Sequence, residues 1–254
     1  MITLKPGHYV LAVSGGVDSM VLFDLLRKRA GIELTIAHFD HGIREDSALD
    51  KRFVEALAKA HKLPFVHGKG SLGPGASEAV ARAARYEFLQ ATKHATGARA
   101  ILTAHHQDDV LETAMLHLLR GTGRSGLTSL KSTDGIVRPL LSHSKQRIKE
   151  YADNNKLVWR EDSTNSDVRY RRNYLRQNIM TKLTPAQRAQ LQILLDDVAQ
   201  INEKIDTELM NLLHTQPALD VLDRNWFICL PHDVSGEVLH YWLSKRGISN
   251  LNRR

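Results

Sequence analysis

The sequence is very poor in cysteine, since Cys229 is the only one among 254 residues. A single cysteine excludes an intramolecular disulfide and any zinc or iron–sulfur site built from several thiolates. Long apolar runs are also lacking, because no stretch approaches the roughly 18–20 apolar residues of a membrane span. The segment MITLKPGHYV lacks the charged and then apolar layout of a secretory signal. These absences predict a cytoplasmic protein without a membrane partner.

Basic residues outnumber acidic ones, and the formal net charge is +7. Seven lysines and arginines lie between Arg120 and Lys149, against the single acid Asp134. A second basic cluster contains Arg169, Arg171, Arg172 and Arg176. Such clusters can be a well-solvated surface, but neutralisation of phosphates by Lys and Arg is the main source of affinity for nucleic acids. We therefore expect a nucleic-acid partner.

The first half of the chain alternates short apolar runs with helical patterns. The runs at 9–13, 34–39, 65–67 and 100–104 are typical of strands, and 19–29, 47–61 and 77–94 lie between them as helices. This alternation predicts an α/β fold, a Rossmann-like parallel sheet with helices on both faces.

The second half is predicted to be richer in helix. Helices are expected at 108–119, at about 144–154, and from Thr184, where Thr-Pro-Ala-Gln forms a strong helix start, to about 214. We place a boundary between a catalytic domain, 1–183, and a smaller, mainly helical domain, 184–254.

Two glycine-rich segments call for different interpretations. The sequence GTGRSG at 121–126 matches a dinucleotide fingerprint, but it follows a predicted helix rather than a strand. We interpret it as a flexible basic loop. No Walker A lysine motif is present in the sequence.

The sequence SGGVDS, residues 14–19, joins the first strand to the first helix. Glycines allow close approach of the backbone to a pyrophosphate, helix N-termini favour anions, and serine hydroxyls can donate to phosphate oxygens. A tight turn with an ordinary helix cap is the plainer alternative. Asp18 is unexpected here, because its carboxylate would repel a phosphate.

Two further motifs follow predicted strands, at the edge of a parallel sheet where ligands gather. They are HFDHGIR, which begins at His38, and AHHQDDVLETAMLHLLRGTG, which contains Asp109 and Glu112 on one helix face. His105 and His106 with the adjacent aspartates could suggest a transition-metal site. Carboxylates that face a triphosphate suit Mg²⁺ better, because Mg²⁺ prefers oxygen ligands and substrate phosphates.

The SGGVDS turn resembles the signature of the PP-loop ATP pyrophosphatases, which cleave ATP between the α- and β-phosphates. With the two motifs above, SEAVARAARYEFL, RPLL and EDSTNSDVRYRRNYLR, the chain resembles the tRNA(Ile)-lysidine synthetase family over residues 14 to about 180. The resemblance implies adenylation of O2 of the wobble cytidine in the CAU anticodon of tRNA(Ile). The ε-amine of free L-lysine then attacks C2, which gives lysidine and AMP.

The resemblance also implies roles for individual residues. ATP would be held by Ser14, Gly15, Gly16, Val17, Asp18, Ser19 and His38, with Mg²⁺ on Asp18 and Asp109. Catalytic roles are expected for Asp18, Asp109, Glu112 and Arg82. The tRNA or substrate side would include Arg85, Arg138, Asp162, Asn165, Arg171, Arg172, Asn173 and Arg176.

Three alternatives remain open at this stage. A sulfur-inserting PP-loop enzyme would need reactive or cluster-binding cysteines, which Cys229 alone cannot supply. Small-molecule amidation on the same scaffold would not use the basic segments. A non-catalytic nucleotide- or RNA-binding module would gain nothing from carboxylates beside an anion. The sequence also leaves open whether the chain forms a homodimer.

Overall fold

A five-stranded sheet forms the centre of the molecule. The computed structural model describes residues 4–42, 47–70, 77–161, 171–214 and 221–248. All strand pairs are parallel, and their spatial order is β3-β2-β1-β4-β5. The strands are β1 (Gly7–Ala12), β2 (Ile32–Asp40), β3 (Phe65–Lys69), β4 (Ala100–Leu102) and β5 (Ile136–Val137).

Helices connect the strands and make up the C-terminal part of the described chain. A short 3₁₀ turn, Met180–Lys182, precedes the longest helix. The helices are α1 (Val17–Arg27), α2 (Ser47–Ala60), α3 (Glu78–Thr96), α4 (Gln107–Leu119), α5 (Arg124–Leu127), α6 (Lys145–Asn154), α7 (Arg171–Asn178), α8 (Pro185–His214), α9 (Arg224–Ile228) and α10 (His232–Ser244).

Both faces of the sheet are covered, as predicted. Successive side chains of a strand point to opposite faces, so Leu11 and Val10 of β1 enter different cores. Leu11 packs in a cluster with buried residues of α1, α2 and α6. Val10 packs against Leu89 of α3 on the other face. The α/β prediction, with a parallel sheet between two layers of helices, is confirmed.

Local differences from the prediction have simple causes. Strand β5 was missed because it has only two residues and lies in an otherwise irregular segment. The segment 121–126 was predicted to be a flexible loop, but helix α5 begins at Arg124. Residues 221–248 contain α9 and α10, as expected for a helical C-terminal part. The division between residues 183 and 184 stays a prediction. In the described ranges, none of the helices combines the length and the apolar character that crossing a membrane requires.

Arg124 ties the glycine-rich segment to the C-terminal helices. Its guanidinium donates to Asp206 on α8 and Glu237 on α10, each at 2.8 Å. The side chain of buried Asn202 accepts from the same guanidinium at 3.2 Å, and its amide donates to the Arg124 carbonyl oxygen at 3.0 Å. Arg124, in the glycine-rich segment 121–126, therefore connects this segment to α8 and α10. The spacing of residues in the sequence did not indicate this role.

We expect Arg124→Ala to loosen the docking of α8 and α10. The change leaves Asp206 and Glu237 without their shared counter-charge, so the free energy of unfolding should fall by about 1–3 kcal/mol. Chemical denaturation measures the loss, and hydrogen exchange should locate it on α8 and α10. Arg147→Ala, on the exposed face of α6, is the control and should change stability by less than about 0.5 kcal/mol. Equal stability of the two variants would contradict the anchoring role.

Candidate active site

A cavity of about 470 Å³ opens at the carboxyl ends of β1, β2 and β4. The chain turns in opposite directions after β1 and β4, and the crevice at such a switch point is the usual ligand site of an open parallel sheet. Residues from three segments line the cavity: Ser14, Asp18 and Ser19 after β1, His38 and Asp40 of β2, and Thr103, His105 and Asp109 after β4. The fold thus brings the three sequence motifs to one place.

The turn between β1 and α1 has the shape required to bind an anion. Gly15 has φ +94°, a conformation that favours glycine, and a Cβ there would lie 3.4 Å from the Phe53 ring. Ser19 Oγ donates to the Gly16 carbonyl oxygen at 2.8 Å and accepts from the Gly15 N–H at 3.2 Å. Gly16 caps α1 without a side-chain hydrogen bond. The first N–H groups of α1 therefore have no side-chain cap and can serve an anion.

Asp18 and Asp109 approach the same imidazole from two elements. His106 Nε2 lies 3.8 Å from Asp18 Oδ1 and 3.5 Å from Asp109 Oδ2. Within the described ranges, no group of three or more His, Cys, Asp or Glu side chains is placed to hold a metal. Two carboxylates beside an anion-binding turn fit Mg²⁺, which takes one or two protein carboxylates and completes its shell with phosphates and water.

The adjacent aspartates of α4 have different environments. Asp109 lines the cavity, whereas Asp108 accepts from Arg188 Nη1 of α8 at 2.6 Å. Asp108 also accepts from the backbone N–H of Lys145 at 3.4 Å. Of the two, Asp109 faces the cavity, and Asp108 connects α4 to α8 and to the start of α6.

Arg176 of α7 bridges the carboxylates of Asp109 and Glu112. Its guanidinium lies 3.0 Å from Asp109 Oδ1 and 2.6 Å from Glu112 Oε1. Burial alone would raise the pKa of Asp109, but the neighbouring imidazoles of His106 and His105, the His106 N–H and Arg176 together hold the pKa below its usual value. Burial raises the pKa of Glu112, and Arg176 opposes the rise without cancelling it. Two carboxyls one helical turn apart thus differ in proton affinity.

Three arginines gather around Tyr86, and one of them, Arg85, lines the cavity. Arg82 lies 4.8 Å and Arg85 lies 5.3 Å from the centroid of the Tyr86 ring. The Tyr86 hydroxyl accepts from Arg82 at 3.3 Å and from Arg138 at 3.4 Å. Burial lowers the pKa of Arg85, which lines the cavity and whose Nε has no hydrogen-bond partner among the described residues. We call Arg82, Arg85, Arg138 and Tyr86 the arginine cluster; it forms a positively charged region beside the cavity.

Three histidines of the motifs line the cavity, His38, His41 and His105, and the contacts of His38 and His105 differ. His38 Nδ1 lies 2.8 Å from the Val13 carbonyl oxygen and therefore donates to it. The ring of His38 stacks on that of His67, with centroids 5.9 Å apart. His105 Nδ1 lies 2.9 Å from the Thr103 hydroxyl. Burial and the nearby arginines lower the pKa of His105 to about 3, so its imidazole is neutral.

Of the remaining residues predicted for the site, some line the cavity, some are buried behind the lining residues, and some lie outside the described residues. Arg172 and Asn173 line the cavity, and Arg172 is paired with Glu78 at 3.1 Å. Val17 is buried in the first turn of α1, and Glu112 is buried behind Asp109. Asp162 and Asn165 lie outside the described residues, and of Arg171 only the backbone, in α7, is described.

Sequence reasoning did not single out Asp40 and Thr103 of the cavity wall, and it missed two residues beside the cavity. Lys145 Nζ donates to both oxygens of Asp18, at 2.6 and 2.7 Å. Tyr86 organises the arginine cluster. Lysine on a helix and tyrosine inside one are common, so neither residue had a signal of its own; the spacing of Arg82, Tyr86 and Arg85 on one helix was the only hint.

Known sequences resemble most of the chain. A family profile described as a PP-loop domain matches residues 3–183. A tRNA(Ile)-lysidine synthase of Thermus thermophilus is 47% identical over 174 residues, which cover 66% of this chain and 34% of that protein. The proteins of the same name from Thermotoga maritima and Geobacter sulfurreducens are 40% and 35% identical, over 72% and 81% of this chain and 47% and 48% of theirs. The chain thus spans between a third and a half of the length of these relatives.

Among solved structures, the U34-tRNA thiolase NcsA from Methanococcus maripaludis with its [4Fe-4S] cluster has a TM-score of 0.60. The likeness covers 78% of this chain and 74% of that one at 14% identity, and it therefore concerns the fold alone. The profile match spans the sheet, the SGGVDS turn and the carboxylates of the cavity. This chain belongs to the PP-loop family.

Proposed function

We propose that the chain catalyses the ATP-dependent ligation of free L-lysine to C2 of the wobble cytidine in the CAU anticodon of tRNA(Ile). One observation carries the proposal: the PP-loop turn and Asp109 meet at a single cavity, in a chain that is 47% identical over 174 residues to a tRNA(Ile)-lysidine synthase.

ATP would bind with its phosphates at the turn of residues 14–19. The backbone of Gly15 and Gly16 permits close approach, and the N–H groups at the start of α1 supply donors. His38, at the end of β2, lies on the same cavity and would contact the adenosine. Asp18 and Asp109 would hold Mg²⁺. When bound, that ion would neutralise charge on the phosphates and on the departing pyrophosphate.

The proposed reaction has two steps. In the first, cytidine O2 bonds to the α-phosphorus of ATP while the bond to the β-phosphate oxygen breaks, and pyrophosphate leaves with the electron pair. In the second, the lysine ε-nitrogen bonds to C2, the C2–O2 bond breaks, and AMP departs with that oxygen. The lysine ammonium must first lose a proton, to water or to a carboxylate, because it has no lone pair.

The arginines at the cavity would bind phosphate groups in this reaction. Arg85 and Arg172 on the cavity wall would neutralise phosphates of the RNA or of the nucleotide, and guanidinium groups suit that task because they donate in pairs. Arg82 and Arg138 would hold Arg85 in place through Tyr86. Asp162, Asn165 and Arg171 stay on the tRNA side as predictions from the family resemblance.

A flipped loop base fits a cavity of this kind. Single-stranded anticodon bases can be splayed out and recognised on their edges. His105 lines the cavity with its Nδ1 on the Thr103 hydroxyl, so its Nε2 would be the nitrogen that contacts a base edge. With tRNA as substrate, the cytoplasm is the proposed location.

The test is incubation of the purified chain with ATP, Mg²⁺, L-lysine and tRNA(Ile) bearing the CAU anticodon. We expect lysidine at the wobble position by nucleoside mass spectrometry, with AMP and pyrophosphate formed in equal amounts. Methionine tRNA with the same anticodon, and a reaction without lysine, are the controls. Lysine-independent formation of AMP, or modification of bulk tRNA, would contradict the assignment. An anticodon stem–loop RNA in parallel tests whether this chain needs the rest of the tRNA.

Thiolation is a weaker candidate function. The thiolase of similar fold is described with a [4Fe-4S] cluster, whereas the only cysteine of this sequence, Cys229, is exposed at the end of α9. Sulfur transfer or cluster binding needs more thiolates than one.

A further inference from the structure

The PP-loop turn lacks a lysine, but the fold brings one to it from a distant segment. Lys145, the first residue of α6, is 127 positions from Asp18 in sequence. Its Nζ donates to both carboxylate oxygens of Asp18, at 2.6 and 2.7 Å. The ammonium therefore contacts a side chain of the first turn of α1, and a bound phosphate would be expected at the start of that helix.

The backbone of Lys145 is fixed from two sides. Ser144 caps α6 and accepts from the Arg147 N–H at 3.3 Å. The Lys145 N–H donates to Asp108 at 3.4 Å, and the His143 carbonyl oxygen accepts from the Gln107 N–H at 3.0 Å. The start of α6 is thus attached to the start of α4, which carries Asp109. This attachment places the Lys145 side chain between the two motifs of the site.

The Lys145–Asp18 ion pair can be replaced by a contact between Lys145 and a phosphate. The side chains of Lys145 and Asp18 are 34% and 29% exposed, and ion pairs open to solvent contribute little stability. An ammonium is a compact charge with three rotatable donors on a flexible stem, so it can turn from a carboxylate to a phosphate oxygen without moving the helix.

We propose that Lys145 is a phosphate-binding residue of the nucleotide site and stabilises the departing pyrophosphate. The assignment rests on the proposed ATP-dependent function. Before nucleotide binds, Lys145 neutralises Asp18; with nucleotide bound, its ammonium donates to phosphate oxygens, and Asp18 becomes available as a metal ligand. During adenylation the bond between the α-phosphorus and the bridging oxygen breaks, and that oxygen keeps the electron pair on pyrophosphate. The Lys145 ammonium donates hydrogen bonds to the charge that develops on the pyrophosphate.

The test measures binding without turnover. Isothermal titration of the purified chain with ATP and with inorganic pyrophosphate, without tRNA or lysine, is compared for the wild type, Lys145→Ala, Lys145→Gln and Lys145→Arg. We expect Ala and Gln to weaken the binding of both ligands by roughly tenfold to a hundredfold, the effect of losing one charge-assisted hydrogen bond. Lys145→Arg should recover part of the affinity because the charge remains. Lys149→Ala, one turn along the same helix and exposed, should bind like the wild type.

The outcomes separate this assignment from the proposed function. Wild-type binding together with equal affinity in folded Lys145→Gln would overturn the role of Lys145 and leave ATP binding intact. Failure of the wild type to bind either ligand would overturn both. A lower thermal midpoint in the variants with unchanged affinities would make Lys145 a structural partner of Asp18 only, which also refutes the assignment.

Discussion

Asp109→Asn is expected to lower the rate of adenylation by at least about a hundredfold, the effect of losing a charge that organises the transition state. The tRNA affinity should change by less than about threefold, because the basic groups remain. The physical reason is the position of Asp109: it lines the cavity, lies 3.5 Å from the imidazole that also faces Asp18, and has a depressed pKa. A neutral amide is a much weaker ligand for Mg²⁺.

The measurement is pyrophosphate release with saturating tRNA(Ile), together with filter binding of the tRNA at one fixed salt concentration. Asp108→Asn is the matched control, since it removes the same charge from the adjacent residue of α4. Asp108 contacts Arg188 and the Lys145 backbone, so its loss should affect the packing of α8 and leave most of the adenylation rate. Equal rates for the two variants, or a large loss of tRNA binding in Asp109→Asn, would assign Asp109 a structural role.

Arg176→Ala is expected to lower the free energy of unfolding by about 2–4 kcal/mol at pH 7 and to abolish activity. The change leaves the buried carboxylates of Asp109 and Glu112 facing each other without their common counter-ion. Because the Arg176 side chain is 36% exposed, we expect the loss of unfolding free energy to lie near the lower end of this range. Urea denaturation of the wild type, Arg176→Ala and Arg176→Lys measures the effect. Lysine keeps the charge but not the paired geometry, so it should recover only part of the loss.

The same variant should have a distinct pH dependence. In the wild type, the depressed pKa of Asp109 contributes stability that is present above the usual value of 3.8 and is lost as the pH falls through the folded-state pKa. Glu112, with a raised pKa, has the opposite sign: it costs stability as the pH rises from its usual value of 4.5 through the folded-state pKa.

Removal of Arg176 raises both pKa values, so the stability difference between wild type and variant should grow from about pH 4 to pH 7. Stability curves at several pH values test this. A constant difference across that range would show that Arg176 acts through packing of its stem rather than through its charge.

Much of the fold could be predicted from local patterns. Strands β1 to β4 follow from short apolar runs, and the helices between them follow from apolar spacing. The parallel arrangement follows from alternation, because a parallel crossover needs a connection as long as a helix. Strand β5 could not be predicted, since two residues paired with β4 have no periodicity of their own.

The catalytic motifs could also be predicted in part. SGGVDS identified an anion-binding turn because its residue types are needed locally, and Asp109 and Glu112 share a helix face by spacing alone. The position of Asp109 relative to Asp18 depended on the switch in strand order between β1 and β4, which no local pattern encodes.

The sequence by itself determined the class of fold and the PP-loop turn, because each depends on neighbours within a few positions. Only the tertiary structure decided which aspartate of α4 faces the cavity, that Arg176 joins two carboxylates, that Arg124 holds the C-terminal helices, and that Lys145 reaches Asp18. The contacts of Arg176, Arg124 and Lys145 each join residues more than 50 positions apart in sequence. Which of Asp108 and Asp109 faces the cavity depends instead on how α4 packs. Such pairings are selected by the packing of whole elements, so no pattern in a short window of sequence records them.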